Sequence, residues 1–201
     1  MLDQSRHTSP EAKLLSAARR LFCNEGIHAT GVARIIKEAG VARKTLYDRY
    51  GSKDNLLRAV FAAEADMWFH WFDHDIPSRG KEPLARILSL FDLLEHWFAS
   101  SEFFGCVFIN AVAEHEKRNG WIRDIAVAHR DSINARLREL AVAAGARDPD
   151  ELTEKMGLVV DGAIVNAMVT GDPRIAAIAK AATGDILARA LGFDARRNDC
   201  E

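Results

Sequence analysis

The stretch AGVARKTLYDRYGSKDNLL, residues 39–57, decides the fold of this chain. Its Ala-Gly pair ends a short apolar pattern, since glycine readily adopts the left-handed conformation that stops a helix. Val41 and Leu46 then begin a second short apolar face, and Ser52 is a good N-cap for a helix starting at Lys53. The spacing predicts two short helices joined by a tight glycine turn.

A longer helical pattern precedes this stretch. Apolar residues recur at three- and four-residue steps from Leu14 to Phe22 and from Val32 to Ala39, with Gly26 between the two runs. Helices in this arrangement form a helix-turn-helix, whose second helix enters the major groove of DNA. The sequence therefore predicts a three-helix DNA-binding domain.

Helical periodicity continues to the C-terminal region, and no strand alternation is evident. Pro83 begins a further helix, and the pattern predicts helices over Trp121–Ala143, Glu151–Val169 and Pro173–Leu191. We predict an all-α fold of about nine helices, with a helix-turn-helix domain over 1–55 and an effector-binding and dimerisation domain over 56–201.

Composition supports a globular protein of one or two domains. The chain has 201 residues, 48% of them hydrophobic, and a formal net charge of −2. No apolar run approaches the roughly 20 residues of a membrane span, and the polar N-terminus lacks the apolar core of a signal peptide. Three widely spaced cysteines indicate reduced thiols. We expect a cytoplasmic protein.

The charge is unevenly distributed. Residues 1–60 contain eleven Lys and Arg against six Asp and Glu, whereas the remainder contains sixteen against twenty-three. A basic N-terminal part beside an acidic remainder suits a protein that meets a polyanion with one end only. Ordinary fluctuation of charge along a chain is the alternative.

The groove-facing side of the second short helix carries the residue types that DNA recognition requires. Arg43 and Lys44 can reach guanine or phosphate, and Thr45 can contact a base edge or a thymine methyl group. Tyr47 and Tyr50 can each offer a hydroxyl to a phosphate. These residue types at one end of a short helix predict contacts with double-stranded DNA.

Residues 25–61, EGIHATGVARIIKEAGVARKTLYDRYGSKDNLLRAVF, resemble the DNA-binding region of the TetR family of bacterial regulators. The matching residues are Gly26, Thr30, Val32, Ile35, Ala39, Gly40, Val41, Thr45, Leu46, Tyr47, Tyr50, Ser52, Lys53, Leu56 and Leu57. The resemblance implies DNA contacts by Thr30, Lys44, Thr45, Tyr47, Tyr50 and Lys53. Charge and helical facing add Arg34 and Arg43. For Arg34 a solvated surface position remains the alternative, and for Tyr50 a core position.

Aromatic residues concentrate beyond residue 60. All four tryptophans lie there, and eight of the ten phenylalanines fall between Phe61 and Phe108. Such residues either fill a core or line an apolar pocket with a few polar anchors. The predicted effector contacts are Trp71, Phe91, Trp97, Phe104, Cys106, Phe108, Asn110, Glu114, His129 and Asp161.

One part of this set carries a second resemblance. The segment FFGCVFINAVAEHEK, residues 103–117, resembles a segment of the ligand-binding domain in one TetR subgroup. Asn110 and Glu114 lie four residues apart and can orient a polar group of an effector. A hydrogen bond between two helices is the alternative role for both.

Catalytic and metal sites find little support in the sequence. His70 and His74 have the spacing of metal ligands on a helix, but two ligands do not make a site. Cys106 lies in no nucleophile motif. We expect no catalytic residue, no bound metal and no cofactor.

The last two helices are rich in small residues, which let helices approach closely. The resemblance implies that this pair meets its symmetry mate in a four-helix bundle, and a helix pair buried within the monomer is the alternative. The predicted dimer contacts are Ala163, Ala167, Ala177 and Ala181.

Together these features predict a homodimeric, ligand-responsive transcriptional regulator that binds a pseudo-palindromic operator. We expect a repressor that a small apolar or aromatic effector releases from DNA. The alternatives are an activator, a DNA binder without a ligand, and an enzyme or carrier that retains a helix-turn-helix.

Overall fold

The computed structural model describes residues 9–115 and 120–192. Cys200, one of the three predicted reduced thiols, lies outside these residues. Within them the chain is entirely helical, without a strand, as the sequence predicts. The helices are α1 (Pro10–Glu25), α2 (Val32–Ala39), α3 (Arg43–Tyr50), α4 (Lys53–His70), α5 (Pro83–Phe98), α6 (Val107–Glu114), α7 (Trp121–Ala143), α8 (Pro149–Thr170) and α9 (Ile175–Ala190).

Helix α4 does not stop at His70. It continues through a π-helical turn, Trp71–Asp75, and one further α-helical turn, Ile76–Ser78. The N–H of Ile76 donates to the carbonyl of Trp71, five residues back, which is the hydrogen bond that defines a π-turn. Proline at position 77 has no N–H and therefore cannot donate the hydrogen bond that continues a regular helix. The π-helical turn ends two residues before this proline.

The predicted helix boundaries are confirmed where capping residues mark them. Gly40 ends α2 in the left-handed conformation, with φ 63° and ψ 37°. The Ser52 hydroxyl accepts from the N–H of Asn55 at 3.1 Å and so caps the start of α4. Asp148 caps α8 in the same way through the N–H of Glu151 at 2.9 Å.

The chain folds as two compact units. Of the described residues, the first unit comprises 9–67, 104–115 and 120–127, and the second comprises 68–103 and 128–192. The first unit is thus larger than the predicted domain 1–55, because α6 packs with the N-terminal helices. Phe108 of α6 stacks on Phe61 of α4 with ring centroids 5.0 Å apart.

The core of the first unit consists of apolar side chains from every helix in it. The fully buried residues include Leu14, Leu21, Phe22, Ile35, Leu46, Leu56, Leu57 and Phe61. An ion pair between Arg19 of α1 and Glu64 of α4 lies beside this core, and Glu64 is buried. These contacts fix α2 and α3, the two helices of the predicted DNA-binding motif, against α1.

The second unit is built around α9, which packs against α5 and α8. Ala176, Ala179 and Leu187 are the buried positions on the inner side of α9, and Ile164 and Ala167 are buried on α8. Lys180 of α9 also pairs with Asp92 of α5 at 2.5 Å. Among the described residues, no helix is long and apolar enough to cross a membrane.

Candidate DNA-binding site

Helix α3 presents its cationic N-terminal turn to solvent. Leu46 is fully buried and anchors the helix to the core of the first unit. Arg43 and Lys44, three and two residues earlier, are exposed, and Thr45 is half-buried. Because one anchor fixes the rotation of so short a helix, these side chains face outward, as major-groove recognition requires.

The first turn of α3 has no side-chain cap. Ala42 occupies the N-cap in an extended conformation, with φ −71° and ψ 145°, and its methyl group can accept no hydrogen bond. The first N–H groups of a helix lack intrahelical partners and favour an anion such as a phosphate. The uncapped N–H groups therefore add a phosphate-binding capacity to the exposed cations.

Tyr47 lies on the same exposed side of α3, with 41% of its surface accessible. The Arg43 guanidinium lies 5.5 Å from the centroid of its ring, and an Arg43 nitrogen lies 3.5 Å from its hydroxyl. An exposed contact of this kind contributes little to stability. The Tyr47 hydroxyl and the guanidinium are thus both free to exchange this contact for DNA.

Two further predicted contacts are partly engaged within the protein. Tyr50 is half-buried, and burial together with Glu11 raises the pKa of its hydroxyl above the ordinary value. The Lys53 ammonium donates to the carbonyl of Ile27 and lies 6.0 Å from the centroid of the Phe22 ring. A DNA contact by Lys53 requires this side chain to leave the carbonyl.

Thr30 does not face solvent. Its side chain is completely buried, and its hydroxyl lies 2.6 Å from the carbonyl of Gly26 and 3.2 Å from that of Leu21. The structure therefore corrects the DNA contact by Thr30 that the resemblance implies. The hydroxyl is used within the protein, on the carbonyl of Leu21 in α1 and on that of Gly26 directly after α1.

Arg34 is exposed on α2 but has acidic neighbours. Its guanidinium donates to Glu25 at 3.1 Å and lies 3.6 Å from Glu38, and the hydrogen bond to Glu25 raises the pKa of Arg34 above its usual value. Arg49 pairs similarly with Glu11 at 2.6 Å. Such exposed pairs are weak, so a phosphate can replace either carboxylate.

The predicted effector contacts in the first unit are mostly occupied by protein contacts. Phe108 and Cys106 are buried, and the Asn110 amide donates to the carbonyl of Phe104 at 3.0 Å. Glu114 accepts hydrogen bonds from the N–H groups of residues 27 and 28, each at 2.6 Å. Neither bond joins two helices, the alternative left open by the sequence: Asn110 bonds to the loop before α6, and Glu114 bonds to the turn between α1 and α2.

The hydrogen bonds to Glu114 change its ionisation. Desolvation by burial raises the pKa of the carboxyl, but the N–H groups of His28 and Ile27 and the His28 ring together outweigh it. The pKa of Glu114 therefore lies below its usual value. The carboxylate is the stable form, and it holds the turn that leads into α2.

The predicted effector contacts in the second unit form an aromatic cluster. Trp71 and Trp97 are buried with ring centroids 6.0 Å apart, and Trp68 contacts both of them as well as His129. Burial lowers the pKa of His129 to about 4, so its imidazole is neutral at pH 7. Phe91 is also buried, as a core residue of α5.

Two polar features of the second unit stand out beside this cluster. The indole N–H of Trp97 is buried and has no hydrogen-bond partner in the described part of the chain. Asp161 forms an ion pair with Arg130, and both side chains are partly exposed to solvent. Trp97 therefore offers a donor to a polar atom of an effector, whereas Asp161 is already paired.

The four predicted dimer contacts divide into two pairs. Ala163 and Ala167 are buried within the monomer, so the structure corrects their assignment to an intermolecular surface. Ala177 and Ala181 are exposed on α9. The sequence analysis missed a larger exposed apolar set on α8 and α9, namely Leu158, Val165, Met168, Val169 and Ile178.

The fold and the exposed cationic turn of α3 define a helix-turn-helix DNA-binding protein. The comparisons with known proteins agree. Residues 14–60 match the family model of bacterial regulatory proteins of the tetR family, and residues 83–183 match the model of tetracyclin repressor-like C-terminal domains. The chain belongs to the TetR family of transcriptional regulators.

Solved structures with the same fold support this assignment. A TetR-family regulator from Streptomyces coelicolor is 26% identical, covers 94% of this chain and 97% of its own, and has a TM-score of 0.84. A similar protein from Streptomyces avermitilis is 28% identical, with a TM-score of 0.73, and the match covers 92% of this chain and 99% of that protein. CifR, a TetR-family regulator solved with 26-base-pair operator DNA, is 21% identical to this chain. The match covers 85% of this chain and 94% of the CifR chain, with a TM-score of 0.71.

One curated relative has a described role. The fatty acid metabolism regulator protein of Bacillus subtilis is 29% identical over 79 residues, which cover 38% of this chain. The match spans 41% of the length of that relative. Regulators of this family are generally not enzymes.

Proposed function

We propose that this regulator is a repressor that binds a pseudo-palindromic operator as a homodimer and leaves it when a small apolar or aromatic effector binds. The observation that carries the proposal is the exposed turn of Arg43, Lys44 and Thr45 above the buried anchor Leu46. Phosphate contacts supply affinity, and contacts to base edges supply sequence choice. The operator complex of CifR supports this mode of binding by analogy.

The exposed apolar surface of α8 and α9 supports the dimer. Val169 and Ile178 have 74% and 65% of their surfaces accessible, and Ala177 and Ala181 leave room for close approach. A cluster of exposed apolar side chains favours contact with a partner. The proposed dimer has two copies of α3, and a pseudo-palindromic operator offers each copy one half-site.

The aromatic cluster of the second unit supports an apolar effector. The buried, unpartnered N–H of Trp97 costs free energy as it stands, and an acceptor on an effector removes that cost. An effector that prefers the DNA-incompetent state of the dimer by about 1–3 kcal/mol weakens operator binding about 5–150-fold. The predicted contacts Trp71, His129 and Phe91 belong to this proposal.

The test begins with selection of genomic fragments by the purified protein, followed by affinity measurements on the selected site. We expect Lys44→Ala and Tyr47→Ala to abolish specific binding while helicity and dimerisation persist. Lys155→Ala, which removes an exposed lysine of the second unit, is the matched control and leaves binding unchanged. Specific binding by both α3 variants contradicts the proposal.

A screen for small molecules tests the effector. We expect a ligand that quenches tryptophan emission and releases the selected DNA at the same concentration. If ligands release DNA without altering emission, the proposed position of the site is wrong. Binding that activates a reporter gene, or turnover of a ligand, favours the alternatives of an activator or an enzyme.

A further inference from the structure

Three potential metal ligands converge beside the turn between α1 and α2. His28 lies in this turn, and Glu114 and His115 lie at the end of α6. One ligand atom from each of the three side chains lies within 4.8 Å of the others. The two imidazole rings also lie close together, with centroids 4.2 Å apart and planes inclined by 31°.

Hydrogen bonds orient all three groups. The Nδ1 atom of His115 lies 3.0 Å from the carbonyl of Ala111, and because a carbonyl only accepts, this nitrogen carries the proton. The Nδ1 atom of His28 lies 3.2 Å from a carboxylate oxygen of Glu114. The Nε2 atom of His115 is therefore left without a proton, which is the state in which an imidazole nitrogen binds a metal.

The carboxylate of Glu114 remains able to bind a cation. Its two oxygens accept one backbone N–H each, from Ile27 and His28. Oε1 also contacts the His28 ring, whereas Oε2 keeps a second lone pair for a cation, so these bonds hold the carboxylate in place without exhausting it. A ligand fixed by outer hydrogen bonds is typical of protein metal sites.

The cluster borders an open cavity of about 370 Å³, which Trp121 and Arg123 also line. This volume leaves space for water to complete the coordination of a metal held by three side chains. Two imidazoles and one carboxylate are ligands that suit Zn²⁺ and related ions.

We propose that His28, Glu114 and His115 bind a divalent transition-metal ion of the Zn²⁺ class, with one coordination position open to solvent. The site joins α6 to the turn that precedes α2. The sequence does not reveal this site, because His28 and His115 lie far apart in the chain. Only His70 and His74 have the local spacing of metal ligands on a helix.

The experiment uses the full-length protein after removal of metals with a chelator. Titration with Co²⁺, followed by its visible absorption and by competition with Zn²⁺, measures affinity and stoichiometry. We expect one Co²⁺ per chain and at least a roughly tenfold loss of affinity in both His28→Ala and His115→Ala. The matched control is the double variant of His70 and His74 to alanine, whose rings also lie close together, at 4.8 Å.

Three results overturn the proposal. One is equal Co²⁺ affinity in the wild-type protein, His28→Ala and His115→Ala. Another is a loss of Co²⁺ binding in the control variant with retention in both single variants, because it places the metal elsewhere. Absence of Co²⁺ binding at millimolar concentration by the wild-type protein is equally decisive against it. The two single variants are independent, so a folding defect in one leaves the other informative.

Discussion

Replacement of Glu114 by alanine tests whether this carboxylate is a structural clamp. The side chain lies at the end of α6 and accepts the N–H groups of Ile27 and His28, each at 2.6 Å. Removal of the carboxylate leaves both donors without their acceptor. We therefore expect Glu114→Ala to destabilise the first unit, in which all of these residues lie.

The magnitude follows from the burial of the two N–H groups. Ile27 is 4% exposed, so its N–H loses an acceptor that water replaces poorly, at a cost of about 1–3 kcal/mol. The hydrogen bond from the N–H of His28 is exposed, so water takes over and the cost is about 0.5–1.5 kcal/mol. The free energy of unfolding should fall by about 1.5–4.5 kcal/mol in total.

Urea unfolding and hydrogen exchange measure the effect. We expect a lower urea midpoint for Glu114→Ala and faster exchange of the Ile27 amide in particular. Glu114→Gln, the matched control, keeps one oxygen acceptor and should lose about half as much stability. Unfolding and Ile27 exchange that match the wild-type protein in Glu114→Ala would refute the assignment of a structural role.

Three further predictions concern other parts of the chain. The salt dependence of binding to non-specific DNA tests for a phosphate contact by Lys44: Lys44→Ala should reduce the slope of log affinity against log salt by about 1, and Lys44→Arg should preserve it. Ile178→Glu should convert the proposed dimer to a monomer in sedimentation experiments, whereas Val142→Glu, also at an exposed apolar position, should not. Because burial depresses the pKa of His129 to about 4, the unfolded state binds more protons below the ordinary histidine value, and stability falls as the pH drops from about 6.5 to 4. His129→Gln should lessen that fall in thermal unfolding.

The ionisation of the acidic residue Glu114 should also make the stability of the folded protein depend on pH. Its pKa is lower in the folded state, so the stabilisation is complete above the ordinary glutamate pKa and is lost as the pH falls through the folded value. The difference in stability between the wild-type protein and Glu114→Gln should therefore shrink in acid. A difference that stays constant down to the folded pKa and below it would show that the charge is irrelevant.

Much of the fold followed from local signals in the sequence. Gly40, Ser52 and Pro83 mark helix ends through backbone conformation or capping, and each marks a boundary in the structure. The predicted helix Trp121–Ala143 has the same bounds in the structure. These signals act within a few residues of the backbone that they shape, so they are readable without knowledge of the tertiary fold.

The side-chain roles were harder to predict, because a periodic pattern does not reveal which helix meets which face. Ala163 and Ala167 are small and evenly spaced, but they are buried within the monomer on α8, a helix that packs against α5 and α9, and close packing there also needs small residues. Thr30 matched a family position, yet its environment is set by carbonyl groups at the end of α1. In each case a partner distant in sequence decides the role.

The turn at residues 26–30 is the place where these distant partners meet. The Thr30 hydroxyl binds a backbone group of this turn from within it, and Lys53 of α4 and Glu114 of α6 bind backbone groups of the turn from two other elements. Since α2 begins two residues after Thr30, the turn determines how the helix-turn-helix leaves α1. A substitution at Glu114 should therefore weaken operator binding without changing the number of phosphate contacts, so the salt slope should stay constant while affinity falls. A reduced slope would mean that Glu114 acts by displacing the phosphate-binding side chains themselves.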